Sequence, residues 1–386
     1  MTTVYLIRHA EAEGNLYRRA QGQFNSNITA LGLRQVAALA ERFRDVQLDA
    51  VWSSDLNRTM STASAVLKYH PQLQLHTTPA LREIDIGPWE NCHWGNLDED
   101  YPRQMKNFSQ RPDKWHVPGG ESFAAVQKRV VGELLRLGRD YDGGTIAVFA
   151  HGVVVRTALA YAMNIAIANL YEVGYGDNTA VAKLHIEGDR MQIEYANDSS
   201  HLGDLSTFAR QDSRPVPGGG KRFPSLHPLN PEKDEELYEH CYSSTWLCSH
   251  GNLKGYTPGL YLNTAQMHAR FAPEMVMAIY VNDEFAGIID LDPYHGSDIG
   301  CGWISLLYVE PAFRGHRLGI QLIGHAVSVF RRAGRRTLRL SVSSENPSAI
   351  GFYERYGFHI IDTVPGAGAP LHYMETDITQ RLITLP

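Results

Sequence analysis

The chain has 386 residues, 43% of them hydrophobic and 20% charged, with a formal net charge of −6. That length exceeds one ordinary domain and makes two the default. The acidic balance gives no electrostatic case for nucleic acid or an anionic membrane surface, no window is apolar over the length of a membrane span, and the N-terminus lacks the basic-then-apolar pattern of a signal peptide.

Residues 4–7, Val-Tyr-Leu-Ile, are a short apolar run of the kind buried on both faces of a sheet. The run ends in Arg8-His9, where an open parallel sheet presents its ligand crevice. Gln21-Gly22-Gln23 reads as loop. Thr29 suits the cap of a helix carrying Val36, Leu39, Ala40 and Phe43 on one face. Residues 50–54 are a second strand, ending in Asp55-Leu56-Asn57-Arg58, and a helix resumes through Thr62 and Val66. Leu81-Arg82-Glu83-Ile84-Asp85 follows. Pro118-Gly119-Gly120-Glu121-Ser122 then turns into a helix with Phe123, Val126, Val130, Leu134 and Leu137 at helical spacing. Residues 145–149 are another buried-strand run, closed by Ala150-His151-Gly152. Strands alternating with helices argue for a three-layer α/β domain, with His9 and His151 at strand ends that can share one pocket. Glu11 and Glu13 read as solvated, and Trp89, Trp94 and Trp115 as either core or the wall of a site.

Arg8-His9-Ala10-Glu11, Ser53-Ser54-Asp55-Leu56-Asn57-Arg58, Leu81-Arg82-Glu83 and Ala150-His151-Gly152, in that order, resemble the histidine phosphatase superfamily, also called phosphoglycerate-mutase-like, over about the first half of the chain. Ala10 stands where the family usually has glycine. The resemblance implies residue roles. A phosphoryl group in flight carries charge on three equatorial oxygens. Arg8 and Arg58 would hold them by bidentate bonds that lysine cannot reproduce. His151 would add a donor, and Asn15 or Gln21 would complete the cradle. His9 would attack phosphorus as a neutral imidazole, giving a phosphohistidine that water hydrolyses. Glu83 would protonate the leaving oxygen and later take a proton from the water, with Asp85 its near competitor and burial raising its pKa. Two arginines supply the charge, so no metal is expected. The long insertion and Arg-His-Tyr-Gly-like segment of the mutases are missing after Glu83. Trp89-Glu90-Asn91-Cys92-His93-Trp94 is similar instead to the compact branch that removes phosphate from small metabolites, a ribazole phosphate among them, so hydrolysis is expected.

Arg214-Pro215-Val216-Pro217-Gly218-Gly219-Gly220-Lys221 has no periodicity and marks a linker. Asn230-Pro231, followed by Glu232, Asp234, Glu235 and Glu236, reads as a capped helix start. His240, Cys241, Cys248 and His250 lie close together, but their spacing matches no zinc pattern. The four cysteines, Cys92 and Cys301 included, are too few for a disulfide framework and suit a reducing cytoplasm. Residues 275–281 and 285–291 form a hairpin around Asn282-Asp283-Glu284, and residues 303–309 a further strand. Next comes Pro311-Ala312-Phe313-Arg314-Gly315-His316-Arg317-Leu318-Gly319, then a helix with Ile320, Ile323, Val327 and Phe330 on one face. Residues 338–342 are a strand and 346–356 a short helix. A strand, a glycine turn and a helix N-terminus make a general anion cradle. The arginines at 331, 332, 335, 336 and 339 read as a solvated helix end rather than a nucleic-acid site.

Leu307-Tyr308-Val309-Glu310-Pro311, the 314–319 segment and Asn346-Pro347-Ser348-Ala349-Ile350-Gly351-Phe352-Tyr353 are similar to the GNAT acetyltransferase family over roughly residues 224–380. Arg317 stands where that family often has glycine. The resemblance implies acetyl transfer from acetyl-CoA to an amine. Arg314, Gly315, His316, Arg317, Leu318 and Gly319 would grip the pyrophosphate. The edge of the strand at Leu307 and Val309 would bind the pantetheine arm with help from Asn346, and Tyr353 would protonate the departing thiolate. For Tyr353 the bland alternative is a half-buried helix aromatic. Glu310, Asp290, Asp292 or a water chain could be the base.

The expectation is therefore an α/β chain. A three-layer phosphoglycerate mutase-like domain spans 1–205, a linker 206–223 and a mixed α/β GNAT domain 224–386. Its partners would be a small phosphorylated metabolite, an amine acceptor and acetyl-CoA. Fusion raises one site's product near the other, so one metabolite carrying both groups is expected to meet both halves. The alternatives are a non-catalytic acetyl-CoA-sensing domain beside the phosphatase, or a mutase-type phosphotransferase.

Overall fold

The computed structural model describes residues 1–208, 223–366 and 368–382. The Pro/Gly run expected as linker lies outside the described residues. Two compact units result. One holds Met1–Cys92, the chain from Leu97 to residue 208, and the tail from Gln380; the other holds His93–Asn96 and the chain from residue 223 to Thr379.

In the first unit the elements are β1 (Thr2–Arg8), α1 (Glu13–Tyr17), α2 (Ala30–Phe43), β2 (Ala50–Ser53), α3 (Asn57–Leu67), β3 (Leu75–Thr77), α4 (Trp94–Asp100, of which the part from Leu97 belongs to this unit), α5 (Pro102–Gln110), α6 (Phe123–Asp140), β4 (Thr145–Ala150), α7 (Gly152–Ala162), β5 (Val181–Glu187) and β6 (Arg190–Asp198). The six strands run in the order β3-β2-β4-β1-β5-β6. β3, β2, β4 and β1 are parallel, and β5 and β6 complete the sheet antiparallel. Side chains alternate along β1, so each face has its own layer. Ile7, Val51 and Phe149 pack with Leu39 and Phe43 of α2 and Ala63 and Val66 of α3. On the other face Thr2 Oγ1 donates to the Gly138 carbonyl of α6. An added Cβ at Gly138 would lie 2.5 Å from Ile186, so glycine is what lets α6 lie on β5. Thr29 caps α2 as expected, accepting the Gly32 N–H.

Some expectations change. Glu11 is buried and accepts from Thr29 Oγ1 at 2.7 Å, while Glu13 accepts the Asn27 N–H; neither is a free surface carboxylate. Trp89 and Trp115 are core: their rings meet edge to face at 5.7 Å, and Trp115 also abuts Phe108 and Phe123. Residues 206–208 belong with the first unit. Ser206 Oγ and the Phe208 N–H donate to Asp177, and Thr207 Oγ1 donates to Asn178.

The second unit contains β7 (Ser225–Pro228), α8 (Glu235–His250), α9 (Pro258–Phe271), β8 (Val276–Val281), β9 (Glu284–Asp292), β10 (Cys301–Val309), α10 (Leu318–Arg332), β11 (Thr337–Ser343), α11 (Pro347–Arg355), β12 (His359–Val364) and β13 (Leu371–Asp377). Its seven strands run β12-β13-β11-β10-β9-β8-β7. The β8–β9 hairpin turns through Asn282 and Asp283, both at positive φ, as the tightest hairpins require. The helix expected to start at Asn230-Pro231 starts four residues later, at Glu235. Asn230 Oδ1 instead accepts the Glu232 N–H and makes a turn ahead of the helix.

β10 departs from regularity where it matters. It pairs with β11 only from Cys301 to Ile304. At Ser305 a bulge shifts its register against β9, pairing Ile304 with Leu291 and Leu306 with Asp290. The bulge turns the strand as it parts from β11, leaving the 305–309 edge unpaired on that side.

Candidate active sites

β1 and β4 are in parallel register, so Arg8 lies beside Ala150 and the two strands deliver His9 and His151 together. Their ring centroids are 5.4 Å apart. His9 is nearly fully buried and its backbone is clamped. Its N–H donates to the Ala150 carbonyl, and its own carbonyl accepts from Asn178 Nδ2 (3.0 Å) and the Thr179 N–H (3.2 Å). The Ala10 N–H donates to Thr62 Oγ1. Ala10 does not need a left-handed backbone, so the loss of the usual glycine there is accommodated. His9 Nδ1 lies 2.7 Å from the Ala10 carbonyl, which can only accept. The proton therefore sits on Nδ1, and Nε2 carries an open lone pair. Burial, then the charges of Arg58 and Arg8, hold the His9 pKa well below its usual range, so the ring is neutral.

His151 has the complementary tautomer. Its Nδ1 accepts from Arg58 Nε at 3.1 Å, so Nε2 bears the proton, and that buried N–H has no partner among the described residues. Burial and the same arginines keep it neutral as well. Arg58 is fully buried, with Nη1 on the Phe24 carbonyl and Nη2 on the Gly22 carbonyl. Burial pulls its pKa down to about 10, which still leaves it cationic at neutral pH. Arg8 Nη1 donates to the Gly176 carbonyl, while its buried Nε has no partner among the described residues. Glu83 accepts the N–H of Ile84 and, at 3.1 Å, that of Val153 in the first turn of α7. Those bonds favour the carboxylate, yet burial outweighs them and raises its pKa. Gly152 has Arg8 Nε and Glu83 Oε2 both 3.7 Å from where a Cβ would stand, so the two side chains flank one point. An open imidazole nitrogen, two guanidinium groups, an unmatched imidazole N–H and a carboxyl poised to protonate thus meet in one buried place. That set can bind a tetrahedral anion, attack it and move one proton.

Asn15 reaches this pocket through its bond to Asn178, whereas the Gln21 oxygen is taken by Ser26 beside Gly14. Asp85, the competitor of Glu83, accepts the N–H of Gly87 instead. Sequence reading missed Arg129. Its guanidinium binds the carbonyls of Ala80, Arg82 and Glu83 while paired with Glu121, and so fixes the backbone that carries Glu83. On the sequence it looks like any polar helix position.

In the second unit the 314–319 segment leads into α10. Gly315 has φ +85, a conformation glycine adopts without strain. Arg317, at the N-cap of α10, also lies in the left-handed region at φ 59, and no side chain caps the helix. Arg314 Nε donates to the Val309 carbonyl. Gly319 abuts Phe352 of α11, where a Cβ would come within 3.0 Å. An uncapped helix N-terminus beside an unpaired strand edge, Leu307 and Val309 included, fits a ligand with an anionic group on an extended arm. Asn346 uses its oxygen to cap α11 through the Ala349 N–H, leaving only its amide donors for a ligand. Tyr353 is buried between Phe352 and Phe358, and burial raises its pKa.

The three carboxylates considered as base are separated by their surroundings. Asp290 is buried and committed to His268 Nδ1 and the Tyr238 hydroxyl, both at 2.7 Å. Asp292 accepts from the Tyr294 and His295 N–H groups. Despite its burial, these bonds and His268 pull its pKa to about 2. Glu310 binds His240 Nε2 at 2.9 Å, and the His240 side chain is half exposed. Among the described residues no three His, Cys, Asp or Glu side chains stand together as a metal set.

Family models match both parts of the chain. Residues 4–199 match the family model of the histidine phosphatase superfamily, branch 1. Residues 235–358 match that of the GNAT acetyltransferase family. Phosphoserine phosphatase 1 of Hydrogenobacter thermophilus is 30% identical over 211 residues, 55% of this chain and 99% of that protein. The metal-independent phosphoserine phosphatase of Arabidopsis thaliana is 29% identical, over 54% of this chain and 87% of that protein. A probable phosphoglycerate mutase GpmB of Proteus mirabilis is 30% identical over 53% and 97%. Among solved structures, Bacillus stearothermophilus YhfR superposes with a TM-score of 0.51 at 29% identity, over 52% of this chain and 99% of that one.

Proposed function

Because the chain belongs to the histidine phosphatase superfamily, branch 1, and carries a GNAT-family domain after it, we propose that it is a bifunctional enzyme. The first unit hydrolyses a small phosphate monoester, and the second transfers acetyl from acetyl-CoA to an amine. We place the division near the undescribed stretch that follows residue 208.

The observation that carries the first half is the pair of opposite tautomers, with a lone pair on His9 Nε2 and a proton on His151 Nε2. His9 Nε2 attacks phosphorus; the N–P bond forms as the ester O–P bond breaks, and the alkoxide leaves with a proton from Glu83. Glu83 then takes a proton from water, the water oxygen attacks phosphorus, and the N–P bond breaks to give inorganic phosphate and free His9. Arg8, Arg58 and the His151 N–H hold the equatorial oxygens throughout, with Asn15 and Gln21 at the rim. A raised Glu83 pKa suits the first step, in which it must be protonated. The arginine pair supports a metal-independent reaction, as does the name of the Arabidopsis relative. The test is release of phosphate from p-nitrophenyl phosphate in excess EDTA. Activity that appears only on adding a divalent cation would refute it.

In the second half, acetyl-CoA supplies an activated acetyl group when bound. The 314–319 backbone would hold its pyrophosphate, the 305–309 edge and Asn346 would hold its pantetheine arm, and Tyr353 would donate a proton to the departing thiolate. Glu310 with His240 is the base we favour, since Asp290 and Asp292 are committed elsewhere. Calorimetry should give saturable heat with acetyl-CoA; no heat at millimolar ligand overturns this half, and binding without transfer across an amine panel favours a sensor instead.

The substrate we favour carries both a phosphate ester and an amine. O-Phosphoserine is such a compound and is the substrate in the relatives' names. Dephosphorylation with neither serine nor phosphoserine acetylated would end the single-metabolite idea. The mutase-named relative supports a second reading, tested by whether 3-phosphoglycerate is isomerised. The free cysteines, Cys92, Cys241, Cys248 and Cys301, are in keeping with a reducing cytoplasm. No helix among the described residues is long and apolar enough to cross a membrane.

A further inference from the structure

One carboxylate of the first unit is given over to holding backbone. Glu90 Oε2 accepts the N–H of Gly22 (3.1 Å) and of Phe24 (2.8 Å), and Oε1 accepts that of Gln23 (2.6 Å). Three successive amides gathered on one anion fix the conformation of the 22–24 loop. The carbonyls of that loop are then directed elsewhere, and they are the ones Arg58 binds: Gly22 through Nη2 at 2.6 Å and Phe24 through Nη1 at 2.9 Å. Nε meets His151 Nδ1, and one further N–H on each of Nη1 and Nη2 is left for the anion. The loop has little room to settle differently. A Cβ on Gly22 would stand 2.2 Å from the Ile84 carbonyl oxygen and 2.4 Å from Glu90 Oε1.

We propose that Glu90 is a positioning residue of the phosphatase site: through the 22–24 loop it aims the Arg58 guanidinium, and through Arg58 it fixes the His151 tautomer that presents Nε2–H to the phosphoryl oxygens. This rests on the phosphatase reading above. A planar guanidinium with two N–H groups anchored on fixed carbonyls cannot rotate, so its Nε–H and its two other N–H groups each point one way. With the loop loosened, either nitrogen of His151 can carry the proton, and Arg58 and the His151 N–H both lose their direction.

The alternative roles of Glu90 predict different results. Acting only as a charge near an anion site, it would oppose substrate, and its removal would tighten oxyanion binding. Acting only as a staple, its removal would lower the melting temperature without touching the His151 tautomer. The test uses the full chain, with p-nitrophenyl phosphate kinetics, orthovanadate inhibition and 15N shifts of the histidine rings. In Glu90→Gln we expect kcat/KM to fall about ten- to a hundredfold, orthovanadate to bind about tenfold more weakly, and His151 to become a mixture of tautomers. Gly22→Ala, which keeps the charge, should reproduce this pattern. Orthovanadate binding at or above wild-type strength in Glu90→Gln, or an unchanged His151 tautomer, overturns the proposal. Should Glu90→Gln lose its cooperative melt, the wild-type spectrum decides: a His151 proton on Nδ1 overturns it equally. A wild-type chain that neither hydrolyses the ester nor binds orthovanadate sinks the phosphatase reading itself, and no variant enters that result.

Discussion

On the proposed function, the two units would meet anionic groups by opposite means. The first collects charged and polar side chains from separate parts of the chain: Arg8 at the end of β1, Arg58 in α3, Glu83 in a loop, His151 after β4. Arg58, Glu83 and His151 are buried and Arg8 is partly so, and the ionisable ones need protein partners: carbonyls for the arginines, N–H groups for Glu83. The second offers a contiguous backbone turn at the start of α10 and needs no buried charge. Side-chain sites carry a desolvation cost that must be offset by fixed acceptors, which is why the Arg58 pKa drops to about 10 and a supporting loop exists at all. Backbone cradles need conformational freedom instead, met by Gly315 and strained at Arg317.

The contrast yields predictions in falling order of effect. Replacing His9 with alanine removes the only open imidazole lone pair of the pocket. It should lower the phosphatase kcat about a thousandfold or more and leave acetyl transfer unchanged on the same preparation; a parallel loss of both would show that the units are not chemically independent. Tyr353→Phe should slow acetyl transfer about a hundredfold with acetyl-CoA affinity kept, read by calorimetry and thiol release. Lost affinity with an unchanged rate would assign Tyr353 to packing.

Next in size is pH. Burial, with Arg42 beside it, pushes His201 of the first unit down to about 4. Its contribution to stability is complete above the unfolded value of about 6.5 and is lost as pH falls toward 4. In the second unit burial alone would lower His268, but hydrogen bonds to Asp290 and Asp292 outweigh it and hold the pKa at about 9. That contribution is complete below about 6.5 and is lost as pH rises through 9. Hydrogen exchange followed by unit should therefore show the first loosening in acid and the second in alkali; the reverse order would refute both assignments. The smallest effect is expected from Arg317→Gly. Relief of the left-handed residue is mostly cancelled by the added freedom of the unfolded chain, so stability should rise by about 1 kcal/mol or less. A marked fall in the melting temperature would mean that the Arg317 side chain holds the cradle.

Much of the chemistry was readable before folding. Apolar runs stopping at Arg8-His9 and Ala150-His151 marked strand ends, and the order of four short motifs marked their common pocket. The cradle was readable because it is local. Less readable were residues whose partners lie far along the chain. Glu11 reads as a surface carboxylate until α2 brings Thr29 to it, and Trp89 reads as a possible pocket wall until it meets Trp115. Asn230-Pro231 misled because an Asx turn and a helix cap share one residue signature.

The amino-acid sequence by itself determined which groups are present and that the strands would end on them, because hydrophobic periodicity and turn residues act over a few positions. Only the tertiary structure decided which nitrogen of His9 stays open, which of His151 holds the proton, that Arg129 and Glu90 fasten the backbone beneath the site, and that β10 bulges away from β11 at Ser305. Apart from the bond of His9 Nδ1 to the neighbouring Ala10 carbonyl, those outcomes depend on pairings between residues more than ten positions apart, and no local pattern records a partner that only folding brings near.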